Sequence, residues 1–426
     1  MSRDGAGAAA RAAAPASGLS LPSMLCYGLF GLPLAMLALP IYVYVPQFYA
    51  QRGVLTLAAI GAALLAARTA AAFIDPLIGW WIARAGGRYR RFVLMALPPL
   101  LAGYAALFHP PALARGPALC WFLAALLLVY TGFSLATVAH QSWGAALTQR
   151  PGERARLAAV RESCGLLGVM TAAVLPSLWG YDALGIAFAA AVLAGAACLL
   201  LKAPRPGAPA PARGAAGPAV LLAPLRQRRF RALFAVLMLN GVAAAIPATL
   251  FLFFAEDRLR RGAAAGLFLL LYFASAAGSM ALWPAVARRL GEARAWTASM
   301  LVTAAVFIWA GALGPGDSLS YGAICVLSGV ALGADLALPP ALLAGVIAAA
   351  GDSGRNEAAY FGIWNWGAQM TLALAAGLAL PALEWMGYVP GGGRGLGALS
   401  LAYAILPCVL KLLAAALLWR APLHDC

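Results

Sequence analysis

The chain has 426 residues, of which 63% are hydrophobic and only 10% are charged, and its formal net charge is +16. A composition this apolar excludes an ordinary water-soluble domain and indicates an integral membrane protein. The positive charge does not indicate a nucleic-acid-binding protein, because the basic residues form short clusters between apolar runs rather than one basic face.

Apolar runs along the chain predict twelve membrane-spanning helices, since about 20 residues cross a hydrocarbon core about 30 Å thick. Residues 1–22 are rich in alanine and glycine, which predicts a disordered cytoplasmic tail. The predicted helices cover residues 23–47, 54–84, 92–109, 117–148, 156–179, 181–202, 231–256, 263–288, 294–314, 318–349, 356–385 and 396–419. A Pro-rich, basic linker (203–230) follows the sixth. We therefore expect an all-α membrane fold of two pseudo-symmetric six-helix bundles, 23–202 and 231–420, with a cytoplasmic tail at 421–426.

The basic residues predict the orientation of these helices. In the twelve-helix scheme, most of the 30 lysines and arginines fall on the side that holds both termini and the linker. Positive residues beside membrane segments stay in the cytoplasm, so we expect both termini to be cytoplasmic. Arg and Ala are abundant and Lys is scarce, which is typical of a GC-rich bacterial coding sequence, so we expect a bacterial inner membrane. Arg84 and Arg88 follow the second helix on this side and are candidates for a cytoplasmic gate.

The second predicted helix contains an aspartate, Asp75, and an arginine, Arg68. An acidic residue in a membrane helix costs about 2.5–3.5 kcal/mol on insertion scales, so Asp75 is expected to face a cavity, an ion or a partner charge. Asp75 precedes Arg84 by about 13 Å of helix, which places it inside the membrane. The alternative role is a structural lock on the following basic loop.

Polar residues in two other predicted helices are further candidates. Arg161 and Glu162 lie near the start of the fifth helix, where they form either an ion pair at the inner gate or, through Arg161, a substrate contact. Asp335 precedes Pro339 and Pro340, which interrupt helical hydrogen bonding and leave carbonyl groups open to a cavity. This combination predicts a second polar site.

The eleventh predicted helix carries a block of polar and aromatic residues. We expect Trp364, Asn365 and Gln369 to line the cavity, with Asn365 and Gln369 on one face of the helix. Hydrogen bonds between helices are the alternative role for the two amides. His140, late in the fourth helix, is a further substrate-site candidate, although a lone histidine is more often a hydrogen-bonded structural group.

Three segments carry a resemblance to a known family: DPLIGWW at 75–81, YTGFSLATVAHQSWGAALTQRPGERARLAAVRES at 130–163, and GRNEAAYFGIWNWGAQMTLALAAG at 354–377. They resemble the major facilitator superfamily and, more narrowly, its glycoside-pentoside-hexuronide:cation symporters. The resemblance implies two bundles that give alternating access to a central cavity. It also implies a secondary transporter of a small solute, and not an enzyme.

The resemblance assigns the coupling site to the second helix. Asp75 matches the second of the family's two cation-binding acids and Arg68 matches its arginine, whereas Ala71 occupies the position of the first acid. Hard cations such as Na⁺ need several oxygen ligands. A proton needs one titratable group, so we expect proton coupling through Asp75, with Na⁺ less favoured.

The sugar site departs from the family pattern. The family's sugar-binding acids align with Pro33 and Ser134, and its lysine in the eleventh helix aligns with Gln369, while Arg161 is retained. Loss of the acids together with the lysine is coordinated, since a stranded buried charge costs about 3–5 kcal/mol. We expect weak or absent galactoside binding, Arg161 and Arg68 as the main charges of the cavity, Ser134 as a substrate contact, and an anionic or amphipathic solute.

No catalytic, cofactor or metal-binding motif is predicted, since the seven cysteines are scattered singly and no nucleophile elbow, P-loop or zinc pattern occurs. The expected partners are a small solute, a proton and the lipid bilayer, and we expect a monomer that does not bind nucleic acid. A lipid or lysolipid transporter on the same fold and a non-transporting membrane scaffold are the alternatives. An apolar cavity around Arg161 would favour lipid, and a filled core would favour the scaffold.

Overall fold

The computed structural model describes residues 20–85, 88–147, 151–203, 223–351 and 357–422. The predicted tail residues 1–19 and 423–426, and linker residues 204–222, lie outside these ranges. The α-helices are α1 (Leu21–Gly28), α2 (Gly31–Gln51), α3 (Leu57–Arg84), α4 (Tyr89–Phe108), α5 (Arg115–Leu147), α6 (Pro151–Lys202), α7 (Arg228–Phe253), α8 (Ala265–Ser279), α9 (Leu282–Leu290), α10 (Glu292–Phe307), α11 (Ser318–Ala349), α12 (Glu357–Trp385), α13 (Leu396–Ser400) and α14 (Leu406–Arg420).

These helices provide the twelve predicted membrane crossings. Within the described ranges, 11 helical segments are long and apolar enough to cross a membrane, and one of them, Arg156–Lys202, has 47 residues. At 1.5 Å per residue it is about twice as long as one crossing requires. It is broken at Gly180, whose φ of 80° and ψ of 179° are tolerated because glycine has no Cβ. The predicted all-α fold of two six-helix bundles is confirmed.

The two halves repeat the same arrangement of helix contacts. The pairs α2–α6, α4–α5 and α3–α5 in the first half correspond to α7–α12, α10–α11 and α8–α11 in the second. Between the halves, the α3–α12 contact corresponds to α6–α8, and α2 meets its counterpart α7. An approximate two-fold axis therefore relates the halves. In repeat-built transporters, sites lie at such an interface.

Prolines and wide helical turns interrupt the helices of the second half. Pro247 lies inside α7, and Pro339 and Pro340 lie inside α11. A π-helical turn at Leu401–Ile405 precedes Pro407 in the last crossing. Proline lacks the N–H that would bond the preceding turn, so these positions allow the helices to bend.

The halves meet closely where α2 ends and α3 begins. The Ala58 amide donates to Glu384 Oε2 over 2.6 Å, and Gln51 Nε2 donates to Glu256 Oε2 over 2.6 Å. The Glu384 carboxylate thus lies at the positive end of the α3 dipole, where an anion is stabilised. We call this end of the molecule the closed end. The opposite end, which carries Arg84, is the basic end.

Gly61 makes the close approach of α3 to α12 possible. A Cβ at this position would lie 2.7 Å from the Ala376 carbonyl oxygen. Gly61→Leu should therefore push the helices apart at the closed end, and overpacking of this kind typically costs about 1–3 kcal/mol. We expect faster amide hydrogen exchange in residues 57–68 and 369–384.

The matched control is Gly79→Leu in the same helix. A Cβ at Gly79 would come no nearer than 3.9 Å to Val138, so its exchange pattern should resemble that of the parent protein. Unchanged exchange in Gly61→Leu would contradict the assigned contact between the halves.

Candidate functional site

Two cavities meet at the boundary between the halves. The larger, of 270 Å³, lies among α2, α7, α8, α10, α11, α12 and the last crossing. The smaller, of 90 Å³, lies among α2, α3, α5 and α12. Tyr42 and Leu372 line both cavities, so the two are neighbours. They form one candidate site that draws on both halves.

The smaller cavity brings together four residues singled out in the sequence: Arg68, Asp75, Ser134 and Gln369. The Arg68 side chain is buried, with 7% relative exposure. Its Nε donates to the hydroxyl of Tyr130 over 3.0 Å, and its Nη1 donates to Gln369 Oε1 over 3.2 Å. Because Gln369 belongs to the other half, Arg68 joins the two halves at the cavity. Tyr130 was not predicted as a site residue.

The Asp75 carboxyl group lies beside the Ser134 side chain in the smaller cavity. One of its oxygens, Oδ1, is buried and has no hydrogen-bond partner among the described residues. A buried polar atom without a partner carries a desolvation cost that a proton, a water or a solute would relieve. Arg68 lies on the same helix, but its described hydrogen bonds go to Tyr130 and Gln369.

A charged cluster borders the larger cavity. Lys411 Nζ donates to Asp335 Oδ2 over 2.8 Å and to Asn240 Oδ1 over 2.9 Å. Asp335 Oδ1 accepts from Asn240 Nδ2 over 3.1 Å and from Trp296 Nε1 over 2.7 Å. The side chains of Lys411 and Asp335 are only 7% and 13% exposed. We call these four residues the Lys411 cluster.

The sequence analysis placed Asp335 in a second polar site but did not identify its three partners. The missed signal was Lys411 itself, because a lysine inside an apolar membrane helix marks a functional site by the same argument as Asp75. Asn240 and Trp296 gave no comparable signal. Within the described residues, no group of three or more His, Cys, Asp or Glu side chains is placed to hold a metal ion.

Arg161 lies outside the linings of both cavities. Its Nη2 donates to Glu162 Oε1 over 2.6 Å and its Nε donates to the same oxygen over 3.2 Å. It also contacts the Tyr27 side chain. This position favours the ion-pair role over the substrate contact. The expectation that Arg161 is a main charge of the cavity stays a prediction, whereas Lys411 and Asp335 line the larger cavity.

His140, Trp364 and Asn365 also lie outside the two linings. His140 is buried, its Nε2 donates to the Tyr27 carbonyl over 2.9 Å, and the Tyr27 hydroxyl donates to the His140 carbonyl over 3.0 Å. Trp364 packs in the core of the second half. Asn365 is exposed. It lies one helical turn before Gln369 in α12, toward the basic end.

The gate candidates Arg84 and Arg88 are exposed at the end of α3 and just before α4. The Arg84 guanidinium lies 4.6 Å from the centre of the Trp80 ring, within the range of a cation–π interaction. Residues 86–87 of the connecting loop lie outside the described ranges. A gating role for these arginines stays a prediction.

A family model described as MFS/sugar transport protein matches residues 26–425. A search of curated proteins found no match.

Solved structures share the fold at low sequence identity. The nucleoside transporter NupG superposes with a TM-score of 0.68 at 16% identity, covering 93% of this chain and 99% of that chain. The second structure is a bacterial homologue of the human lysosomal transporter Spinster in an inward-facing and unoccupied conformation. It superposes with a TM-score of 0.65 at 14% identity, covering 95% of each chain. A bacterial homologue of the human drug peptide transporters PepT1 and PepT2 superposes with a TM-score of 0.66 at 16% identity, covering 94% of this chain and 97% of that chain.

Proposed function

Because this chain belongs to the MFS/sugar transport protein family, it is a multi-pass membrane protein and a secondary transporter, and we propose that it moves its small solute together with a proton. The observation that carries the proposal is the carboxyl group of Asp75 in the smaller cavity. Its buried Oδ1 has no hydrogen-bond partner among the described residues. A carboxyl group can bind and release a proton without further ligands. A Na⁺ site would need several oxygens, and the guanidinium of Arg68 in the same cavity opposes a second cation.

Arg68 connects the proton to the conformational change in this proposal. With Asp75 protonated, Arg68 keeps its hydrogen bond to Gln369 and holds the halves together at the cavity. When Asp75 loses its proton, its negative charge attracts Arg68 and weakens that bond. A proton shifts a conformational equilibrium only if it binds the two conformations with different affinities. The change of the Arg68 partner from Gln369 to Asp75 provides this difference.

The orientation and arrangement of the chain belong to the same proposal. The closed end faces away from the cytoplasm, and the basic end, both termini and the 203–230 linker face the cytoplasm of a bacterial cell. The contacts at the closed end then correspond to an inward-facing conformation of a monomer. Arg84, Arg88 and the Arg161–Glu162 pair act at the cytoplasmic gate.

The two alternatives receive less support from the cavities. A scaffold would need no open space between the halves, whereas 270 Å³ and 90 Å³ lie there. A lipid site was expected as an apolar cavity around Arg161, but the larger cavity is bordered by Lys411 and Asp335 instead. A solute with a polar group fits this lining better, and galactoside binding stays weak or absent in the proposal.

Uptake into proteoliposomes tests this function. The purified protein is reconstituted with an alkaline interior, and accumulation is measured for sugars, hexuronates, small carboxylates, nucleosides, aromatic lactams and lysophospholipids. We expect at least one small solute to accumulate above its external concentration and to leak out when a protonophore is added. Accumulation that survives the protonophore, or transport of lysophospholipid alone, would refute the proposal.

A further inference from the structure

The Lys411 cluster has one unused donor and one unused acceptor at neighbouring atoms. An ammonium group carries three N–H donors, and the described residues accept two of them, at Asp335 Oδ2 and Asn240 Oδ1. A carboxylate oxygen has about two lone-pair sites. Asp335 Oδ1 fills its two with Asn240 and Trp296, whereas Oδ2 accepts from Lys411 in the described contacts. Nζ and Oδ2 are 2.8 Å apart, so both are within reach of one small polar group.

The cluster combines one positive and one negative side chain and has no net charge. Lys411 and Asp335 already compensate each other within 2.8 Å. A fully charged ligand would gain from one member of the pair and be repelled by the other. A neutral group that presents an acceptor beside a donor satisfies both open positions without disturbing the pair.

The remainder of the larger cavity is mostly apolar and rich in aromatic rings, with Thr303, Ser328 and tyrosine hydroxyls among its polar groups. Its lining includes the rings of Tyr42, Phe251, Phe268, Tyr272, Phe273 and Phe307. Flat rings favour stacked or edge-on contacts with another ring. The volume of 270 Å³ lies just below the range of about 300–1,000 Å³ that is typical of small-molecule pockets, so the occupant is compact.

Resting on the transporter function above, we propose that the larger cavity binds a compact, uncharged heteroaromatic solute. Its ring system lies among the aromatic side chains. Its acceptor atom takes the third N–H of Lys411, and its adjacent N–H or O–H donates to Asp335 Oδ2. This replaces the anionic solute expected from the sequence, because the positive charge at this site is already paired.

Binding of a matched pair of probes tests the proposal. Isoquinolin-1-one presents a carbonyl beside an N–H on a flat bicycle, and its N-methyl derivative lacks only the donor. Affinities for the purified protein are measured by calorimetry, together with 1-naphthoate and lysophosphatidylcholine. We expect the lactam to bind at least about tenfold more tightly than the N-methyl derivative, since the methyl group leaves a buried acceptor unpaired. Equal binding of the two, or tighter binding of 1-naphthoate or lysophosphatidylcholine, would overturn the proposal.

Two variants locate the effect. Lys411→Met combined with Asp335→Asn removes both charges together, and the preference for the lactam should fall to about twofold or less in it. Ala248→Phe narrows the cavity from its lining and should weaken both probes at least about tenfold without touching the cluster. It also provides a test should the double variant fail to fold. A preference that persists in the double variant, or unchanged lactam binding by Ala248→Phe, would place the ligand elsewhere.

This readout is independent of coupling. It is taken without a pH gradient as the ratio of the affinities for the two probes, and proton binding at Asp75 would change both affinities together without changing this ratio. Failure of proton coupling would leave the preference between the probes intact. Failure of this inference would leave coupling through Asp75 intact.

Discussion

Asp75→Asn should abolish uphill accumulation of the solute while solute exchange across the membrane continues. A gradient of one pH unit supports about tenfold accumulation when one proton accompanies each solute, because one such unit is worth about 1.4 kcal/mol. Asparagine keeps the shape of the side chain but cannot release a proton. The accumulation ratio should therefore fall to about 1 in proteoliposomes, while counterflow of labelled solute persists.

Asp182→Asn is the matched control for this experiment. Asp182 is exposed, pairs with His109 on the surface and does not line either cavity. Its accumulation ratio should equal that of the parent protein. If Asp75→Asn still accumulates solute in a protonophore-sensitive manner, the proton travels by another group.

Lys411→Met should produce the largest loss of stability among single substitutions in the second half. The variant leaves the buried carboxylate of Asp335 without its ammonium partner, and breaking a buried pair from one side costs about 3–5 kcal/mol. We expect a clear fall in the melting temperature of the detergent-solubilised protein. Adding Asp335→Asn to Lys411→Met should recover much of the loss, because no charge is then stranded.

The chain offers a direct control, since its other lysine is Lys202. That residue is exposed at the end of α6, so the free energy of unfolding of Lys202→Met should lie within about 0.5 kcal/mol of that of the parent protein. If Lys411→Met were as stable as Lys202→Met, the Lys411–Asp335 pair would contribute little to the stability of the folded protein.

The number and class of the helices were predictable because the bilayer sets their length. Each apolar run had to cover about 30 Å with its backbone hydrogen bonds satisfied internally, and this leaves little freedom. The prediction also separated the fifth crossing from the sixth at Gly180, where the structure has a positive φ. Interruptions such as the π-helical turn at Leu401–Ile405 were not visible, since a wide turn has no strong composition signal.

The candidate site was only partly predictable, because a helix sequence does not say which neighbour each face meets. Arg68, Asp75 and Gln369 were identified by their polarity within apolar helices, and the structure brings them to one cavity. Asp335 and Lys411 are 76 residues apart, and only the packing of the last crossing against α11 makes them partners.

The same limitation explains the candidates that lie elsewhere. Asn365 shares a face with Gln369 but lies beyond the cavity, and His140 turns its ring to the Tyr27 backbone. The sequence shows the polarity of such residues, and it does not show their depth in the membrane or their bonding partners.

The fold brings two functions to one boundary. The proposed proton site lies in the first half, the proposed solute site lies mainly in the second, and Tyr42 and Leu372 line both cavities. Reciprocal coupling requires that each ligand alter the affinity for the other by the same factor. Solute affinity should therefore depend on pH in the parent protein, and this dependence should be lost in Asp75→Asn.

Solute-driven proton movement tests proton coupling most directly. Proteoliposomes without an imposed pH gradient are suspended in weak buffer, and the solute identified by uptake is added outside while the external pH is recorded. Our account predicts that the external pH rises as the solute enters, with one proton for each solute molecule and no rise in Asp75→Asn. Entry of the solute into vesicles of the parent protein with no change in external pH would contradict it.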